Sequence, residues 1–223
     1  METFDVSELR TTEEKALTRP LYEQAFEDPK VFVDYYYREK CADNRMFAIM
    51  DGDRALSMVH LNPFRVSVCD AECPGYFLVA VATDEAHRHR GMMTAVLEEA
   101  FRAMEAEEIP FCWLIPVDPA IYAWMGFETV ADFQKEKLPY SQVQSNYDVY
   151  CLQDDTYLRR ARIEKELGDA GDSEVLPEHP VIMAKIIHRA AFDKLAGIED
   201  PDVDDVERLG WLKTKRLYFC EEV

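Results

Sequence analysis

The chain has 223 residues, and its 48% hydrophobic and 12% aromatic content is enough to fill a core, which excludes a disordered chain. Its 44 acidic and 25 basic residues give a formal charge of −19, a surface that repels nucleic-acid phosphates and anionic headgroups and attracts cations. Neither a nucleic acid nor a membrane is therefore expected as a partner; a cationic amine is favoured, although the same charge also serves solubility alone.

The N-terminus METFDVSELR is polar and lacks the apolar stretch of a signal peptide. No run approaches the ~18 apolar residues of a membrane helix. The 6 cysteines are scattered, with no CxxC pair and no accompanying histidine cluster, so neither a disulfide framework nor a metal site is expected. A reducing, cytoplasmic location is the default.

Residues 11–27 carry apolar side chains near helical spacing, interrupted at Arg19-Pro20, which predicts two short helices or one broken helix. PKVFVDYYYREK reads as a further helix rich in tyrosine. RMFAIM and RALSMVHLNPF flank Asp51-Gly52-Asp53 and predict a β-hairpin. YFLVAVAT is a short apolar strand that runs into the polar loop DEAHRHRG. Beyond Gly91 a helix is expected, with Met93, Leu97, Phe101 and Met104 along one stripe. FCWLIPV starts a new strand, PAIYAWM is a short helix ended by Gly126, and FETVADFQ follows as a strand.

This order predicts an α/β domain over residues 1–150, built on a mixed sheet. From residue 151 the pattern weakens: a charged helix in DDTYLRRARIEKELG, a linker, an apolar run VIMAKIIH, an acidic stretch and a final apolar segment. Residues 151–223 read as a small C-terminal appendage.

The informative piece is the strand-to-helix turn Arg88-His89-Arg90-Gly91-Met92-Met93. Backbone amides at a helix start are unpaired and carry the positive end of the helix dipole, an arrangement suited to a pyrophosphate. Gly91 permits close backbone approach, and Arg88 and Arg90 supply fixed charge. A solvated basic loop with a helix cap has the same composition.

The segment VATDEAHRHRGMM resembles motif A of the GNAT superfamily of N-acetyltransferases, with pattern Arg/Gln-x-x-Gly-x-Gly/Ala. Arg88 and Gly91 fill its first two positions, and Met93 replaces the last small residue, as in Eis-type acetyltransferases. IPFCWLIPVDPAIYAWMGF looks like the family's motif B, with Ile-Tyr-x-x-x-Gly-Phe. The resemblance implies a GNAT-like, mostly antiparallel sheet flanked by helices, and acetyl-CoA as cosubstrate in a gap between the strands at 77–83 and 111–117. In the stretch Val81, Ala82, Thr83, backbone groups would pair with the pantetheine, and the amides of His89, Arg90, Gly91, Met92, Met93 and Thr94 would bind the pyrophosphate. Tyr122 matches the tyrosine that protonates the departing thiolate, a pairing of similar pKa values, about 10 and about 8.5.

The implied activity is acetyl transfer to a primary amine; a non-catalytic acyl-CoA-binding regulator is the alternative. An ammonium must first lose a proton, and His60, Glu128 and Asp118 are candidate bases. In the Eis-type plan the C-terminal carboxylate enters the active site, which makes the carboxylate of Val223 a further candidate. This chain is too short for that plan's two further domains, so a shortened C-terminal region is expected, with PVIMAKIIH as a remnant. Tyr36 and Tyr37 are candidates for lining a cationic acceptor pocket, as aromatic faces attract ammonium groups; packing on the sheet is the other reading for them. Self-association is left open. No GxxxxGK[ST], GxGxxG or GxSxG turn is present, which argues against P-loop, dinucleotide and serine-hydrolase chemistry.

Overall fold

A computed structural model describes residues 3–168 and 176–221. Among the described residues, nine strands form a mixed, mostly antiparallel sheet flanked by helices, as expected, in the order β1 (Ser7–Leu9), β2 (Arg45–Asp51), β3 (Arg54–Val68), β4 (Ala71–Thr83), β5 (Phe111–Leu114), β8 (Val181–Ile186), β6 (Glu128–Asp132), with β7 (Val149–Cys151) pairing β3 and β9 (Leu217–Tyr218) pairing β7. The described residues divide into two compact units, one of residues 3–63, 78–103 and 155–168, the other of residues 64–77, 104–154 and 176–221.

In the first unit, β1 (Ser7–Leu9) pairs antiparallel with β2 (Arg45–Asp51), and β2 with β3 (Arg54–Val68). The β2–β3 hairpin closes on Gly52, whose φ of +58° only glycine adopts freely. The predicted break at Arg19-Pro20 yields two helices, α1 (Thr12–Ala16) and α2 (Arg19–Ala25). Thr11 caps α1 in a reciprocal box with Glu14, and Pro20 opens α2, where its missing N–H is harmless. The tyrosine run begins in α3 (Lys30–Tyr35) and continues as a π-helical turn, Tyr36–Lys40, closed by Cys41 N to Tyr36 O at 3.0 Å. The wider turn lets Tyr35 and Tyr36 both be buried, while Tyr37 is half-buried.

Helix α4 (Met92–Ala106) buries Met92, Val96, Leu97, Ala100 and Met104. The stripe is rotated from the expected one: Met93 and Phe101 lie at its half-buried edges. Helix α7 (Asp155–Leu167) docks by charge, Glu164 accepting from Tyr35 Oη at 2.8 Å and from Lys40 Nζ at 2.9 Å.

In the second unit, β5 (Phe111–Leu114) pairs parallel with β4 (Ala71–Thr83) at Tyr76↔Cys112 and Phe77↔Trp113. Strand β8 (Val181–Ile186), from the VIMAKIIH run, pairs antiparallel with β5 on one side and β6 (Glu128–Asp132) on the other. Strand β7 (Val149–Cys151) pairs with the end of β3 and, in parallel, with β9 (Leu217–Tyr218). Helices α5 (Ala120–Ala123), α6 (Tyr140–Asn146), α8 (Arg189–Ala196) and α9 (Asp205–Lys213) complete the unit.

Trp113 is the centre of this core. Phe219 stacks on it at 4.6 Å, and Phe77 and Phe64 lie at 6.0 and 5.8 Å. Gly75 is required here for space: a Cβ would stand 2.8 Å from Trp113 Cζ3. Buried Arg208 is held by both carboxylate oxygens of Asp193 at 2.7 Å, the paired geometry a buried guanidinium needs.

Candidate functional site

The residues that carry the two motifs belong to different units, and each motif has its own local construction. In the first unit, strand β4 changes phase before it reaches the turn. At Cys73, Gly75 and Phe77 its odd-numbered residues are buried; by its end Ala82 is buried and Val81 and Thr83 are half-exposed. The change occurs at Ala80, which has φ of +51°, a left-handed conformation rare for alanine and costly in a strand. No sequence signal marks Ala80.

Asp84 then fixes the start of the loop. Its N–H donates to Leu56 O at 2.8 Å, Oδ1 accepts from Ala86 N at 3.1 Å and His87 Nδ1 at 2.8 Å, and Oδ2 accepts from Arg54 at 2.5 Å. The His87 hydrogen bond, followed by the Arg54 guanidinium, holds this carboxyl below the usual range. The sequence reading missed Asp84; its position just before a short helical turn, Glu85–His87, is the usual signature of a cap.

In the turn itself, His89 has φ of +63° and Gly91 φ of +87°, on either side of Arg90. Left-handed residues within a tight turn aim successive amides toward a common point, the geometry of an anion cradle. The first bond of α4 runs from Ala95 N to Gly91 O at 3.1 Å, so the amides of Met92, Met93 and Thr94 precede the helical ladder. Gly91 has no heavy atom near its absent Cβ; conformation, not crowding, requires glycine there. Arg88, His89 and Arg90 are exposed. The Nε of Arg88 donates to Thr83 O at 3.2 Å, which engages one of the backbone groups assigned to the pantetheine.

In the second unit, α5 carries Tyr122. Asp118 caps its start, Oδ1 accepting from Ala120 N at 2.9 Å. The half-buried Tyr122 ring meets the buried Phe127 ring edge-on at 5.9 Å. Gly126, with φ of +86°, turns the chain back, and Lys185 Nζ donates to Met125 O at 2.8 Å. Lys185 was not anticipated, though a lysine inside the apolar run VIMAKI is itself a signal.

Among the described residues, the candidate bases His60, Glu128 and Asp118 each have a partner or an altered pKa. Burial, helped by Lys15, holds the His60 imidazole down at about 3. Glu128 accepts from Lys213 Nζ at 2.6 Å, and Asp118 is engaged in its cap. Tyr36 is fully buried, its hydroxyl 3.0 Å from His60 Nδ1; Tyr37 bonds Thr18 Oγ1 at 2.9 Å and meets Tyr36 edge-on at 5.7 Å. Val223 lies outside the described residues. Among the described residues no helix is long and apolar enough to cross a membrane, and no group of three or more metal-ligating side chains occurs.

The family model described as the acetyltransferase (GNAT) domain matches residues 5–130. No curated protein matched in sequence. A conserved protein of unknown function from Enterococcus faecalis V583, described as a "Probable N-Acyltransferase", is similar in structure with TM-score 0.53 and 19% identity, over 59% of this chain and 33% of that one. Eis1 from Mycobacterium abscessus gives TM-score 0.57 at 9% identity, over 75% of this chain and 49% of that one. The N-acetyltransferase YhbS from Escherichia coli, solved in complex with CoA, gives TM-score 0.50 at 16% identity, over 70% and 87%. The chain spans about a third of the length of the Enterococcus faecalis protein, 33%, and of a GCN5-related N-acetyltransferase from Kribbella flavida, 34%. These likenesses are of fold; the family match covers more than half of the sequence and includes the turn at Arg88–Gly91 and the helix of Tyr122. The chain belongs to the GNAT acetyltransferase family.

Proposed function

We propose that this protein transfers an acetyl group from acetyl-CoA to a primary amine of a small molecule or peptide by direct attack. The observation that carries the proposal is the turn at residues 88–94, where left-handed His89 and Gly91 and the start of a fifteen-residue helix present backbone amides beside two arginines. A pyrophosphate suits that donor set. The turn is assigned the cofactor's phosphates, Val81, Ala82 and Thr83 its pantetheine, and Tyr122 the role of acid toward the departing thiolate. The structurally similar YhbS, solved in complex with CoA, supports this cosubstrate.

The formal charge of −19 favours a cationic acceptor. Of the two tyrosines assigned to the acceptor pocket, Tyr37 is half-buried with the Arg19 guanidinium over its ring at 5.8 Å, a cation that an acceptor ammonium would replace, while Tyr36 is fully buried and supports the Tyr37 ring by an edge-on contact. The Eis-type branch is supported by Met93 at the third motif position and by the structural likeness to Eis1.

Isothermal titration with acetyl-CoA tests the reading, beside a variant carrying Arg88→Ala and Gly91→Asp. Binding by the parent protein and loss in the variant is the expected result; no binding by the parent removes the foundation. Release of CoA in the presence of polyamines, aminoglycosides and short peptides then identifies the acceptor class. The engagement of Glu128 by Lys213 and the low pKa of His60 favour a second reading, a non-catalytic acyl-CoA-binding regulator. Tight binding without turnover on any amine would select it.

A further inference from the structure

A four-residue helix has no stability of its own, because nucleation costs more than one turn returns. Helix α5, which carries Tyr122, is such a helix, and three attachments fix it. At its start Asp118 supplies both a side-chain cap to Ala120 N and a backbone oxygen to Ile121 N at 3.1 Å. At its middle the Tyr122 ring rests against Phe127. At its end the bonds Met125 N to Tyr122 O, 2.9 Å, and Gly126 N to Ala123 O, 3.1 Å, leave the Met125 carbonyl pointing outward, and Lys185 Nζ meets it at 2.8 Å.

Lys185 comes from a strand paired on both sides. It stands opposite Cys112 of β5, and its neighbour Ala184 stands opposite Trp113 and Glu128. Burial raises the Cys112 thiol, with the Lys185 charge acting against that rise. An ammonium in such surroundings is retained only where its head finds acceptors, and a helix C-terminus, the negative end of the peptide dipoles, is a favourable place for it. Gly126 completes the arrangement. A Cβ there would lie 2.9 Å from Lys185 Nζ, so the glycine both adopts φ of +86° and leaves the berth that the ammonium occupies.

We infer that Lys185 is a positioning residue for Tyr122: it holds the last turn of α5, and through it the phenol, in the orientation that proton donation requires. The inference rests on the proposed role of Tyr122 as acid. It gives the strand β8, far along the sequence from the acetyltransferase motifs, a part in the reaction.

The test compares the full-length protein with Lys185→Met, which keeps the stem and removes the donor, and with Lys185→Gln, which keeps an N–H donor. In Lys185→Met, hydrogen exchange at the Met125 and Gly126 amides should quicken about tenfold as the last turn opens. The dissociation constant of acetyl-CoA should stay within about twofold, while kcat for CoA release with the amine selected above falls about tenfold. Lys185→Gln should recover most of both losses. In a Tyr122→Phe background, Lys185→Met should lower kcat no further, because the residue it positions is gone.

Unchanged exchange in Lys185→Met overturns the inference and leaves the assignment of Tyr122 standing. Faster exchange with undiminished kcat overturns the assignment of Tyr122, and the positioning role with it. Additive losses in the double variant mean that Lys185 acts on something other than Tyr122 and also overturn the inference. Should Lys185→Met not fold, Lys185→Ala, which removes the donor without touching the α5 turn, carries the same comparisons.

Discussion

The hydroxyl of Tyr36 lies 3.0 Å from Nδ1 of His60, and both side chains are fully buried. Their rings stack at 5.8 Å, with Tyr22 stacked on both and Tyr37 edge-on. Burial, with the Lys15 charge adding to it, lowers the imidazole from 6.5 to about 3. The folded protein therefore holds His60 neutral where the unfolded chain would protonate it. Stability from this group is complete above pH 6.5 and is lost as pH falls toward 3, by about 2 kcal/mol between pH 7 and pH 5. Asp28, raised by burial, titrates with the opposite sign, so the comparison must be differential. His60→Phe, which keeps a ring in the stack, should flatten the pH dependence of urea unfolding by that amount; an unchanged slope would show that His60 is not held neutral.

The carboxylate of Asp84 joins the β2–β3 hairpin, through Arg54, to the loop that leads into the turn at residues 88–94. Asp84→Asn keeps the size and weakens the bonds from His87 and Arg54. Acetyl-CoA affinity should fall roughly tenfold through loss of preorganisation, with a smaller loss in Arg54→Ala, which leaves the His87 and Ala86 bonds in place. Equal and negligible effects in both variants, read by titration calorimetry, would mean that the loop orders itself on the cofactor.

Ala80 offers a conformational test. Ala80→Gly accepts φ of +51° without strain, and binding of acetyl-CoA should stay within about twofold. Ala80→Val, β-branched and averse to that region, should lose about 1–3 kcal/mol of stability and most of its cofactor affinity. Binding by the valine variant equal to that of the parent would separate the kink in β4 from the cofactor.

Trp113, Phe219 and Gly75 form one packing unit. Phe219→Ala should cost about 3–5 kcal/mol as a cavity opens beside the indole, and Gly75→Ala about 1–3 kcal/mol by overpacking against it. The two effects should not add, because the space left by Phe219 lets Trp113 retreat from the new methyl group. Thermal melts of the three variants decide this; full additivity would place the two contacts in independent parts of the core.

What the sequence revealed followed local chemistry. Gly52 marked the first hairpin, Arg19-Pro20 the break between α1 and α2, Gly91 the start of α4 and Gly126 the end of α5. Two strands outrun the expected segments: β3 continues beyond Phe64 to Val68, and β4 begins at Ala71 rather than Tyr76, each with a proline inside it. A proline in extended backbone removes only one donor, which a sheet tolerates at some positions. The turn between β3 and β4 was hidden because Cys69 and Asp70 take φ of 49° and 69° with no glycine to announce it. Strands β7 and β9, three and two residues long, owe their existence to partners distant in sequence, so no local pattern could show them. In the proposed site, the turn at Arg88–Met93 and Tyr122 were singled out by motifs. Asp84, Ala80 and Lys185 were not, because their roles depend on Arg54, on a backbone angle and on the Met125 carbonyl.

The place of β8 between β5 and β6 has a consequence for the newborn chain. Strand β5 ends at Leu114 and β6 at Asp132, but the strand that joins them begins only at Val181. On a ribosome, two strands with unsatisfied edges must therefore wait while some fifty further residues are made, several seconds at about 5–20 residues per second. Open edges of that kind invite pairing with other chains. Cells producing this protein would meet its period of greatest vulnerability to misassembly in that interval, and slower translation before Val181 should lower the yield of native product.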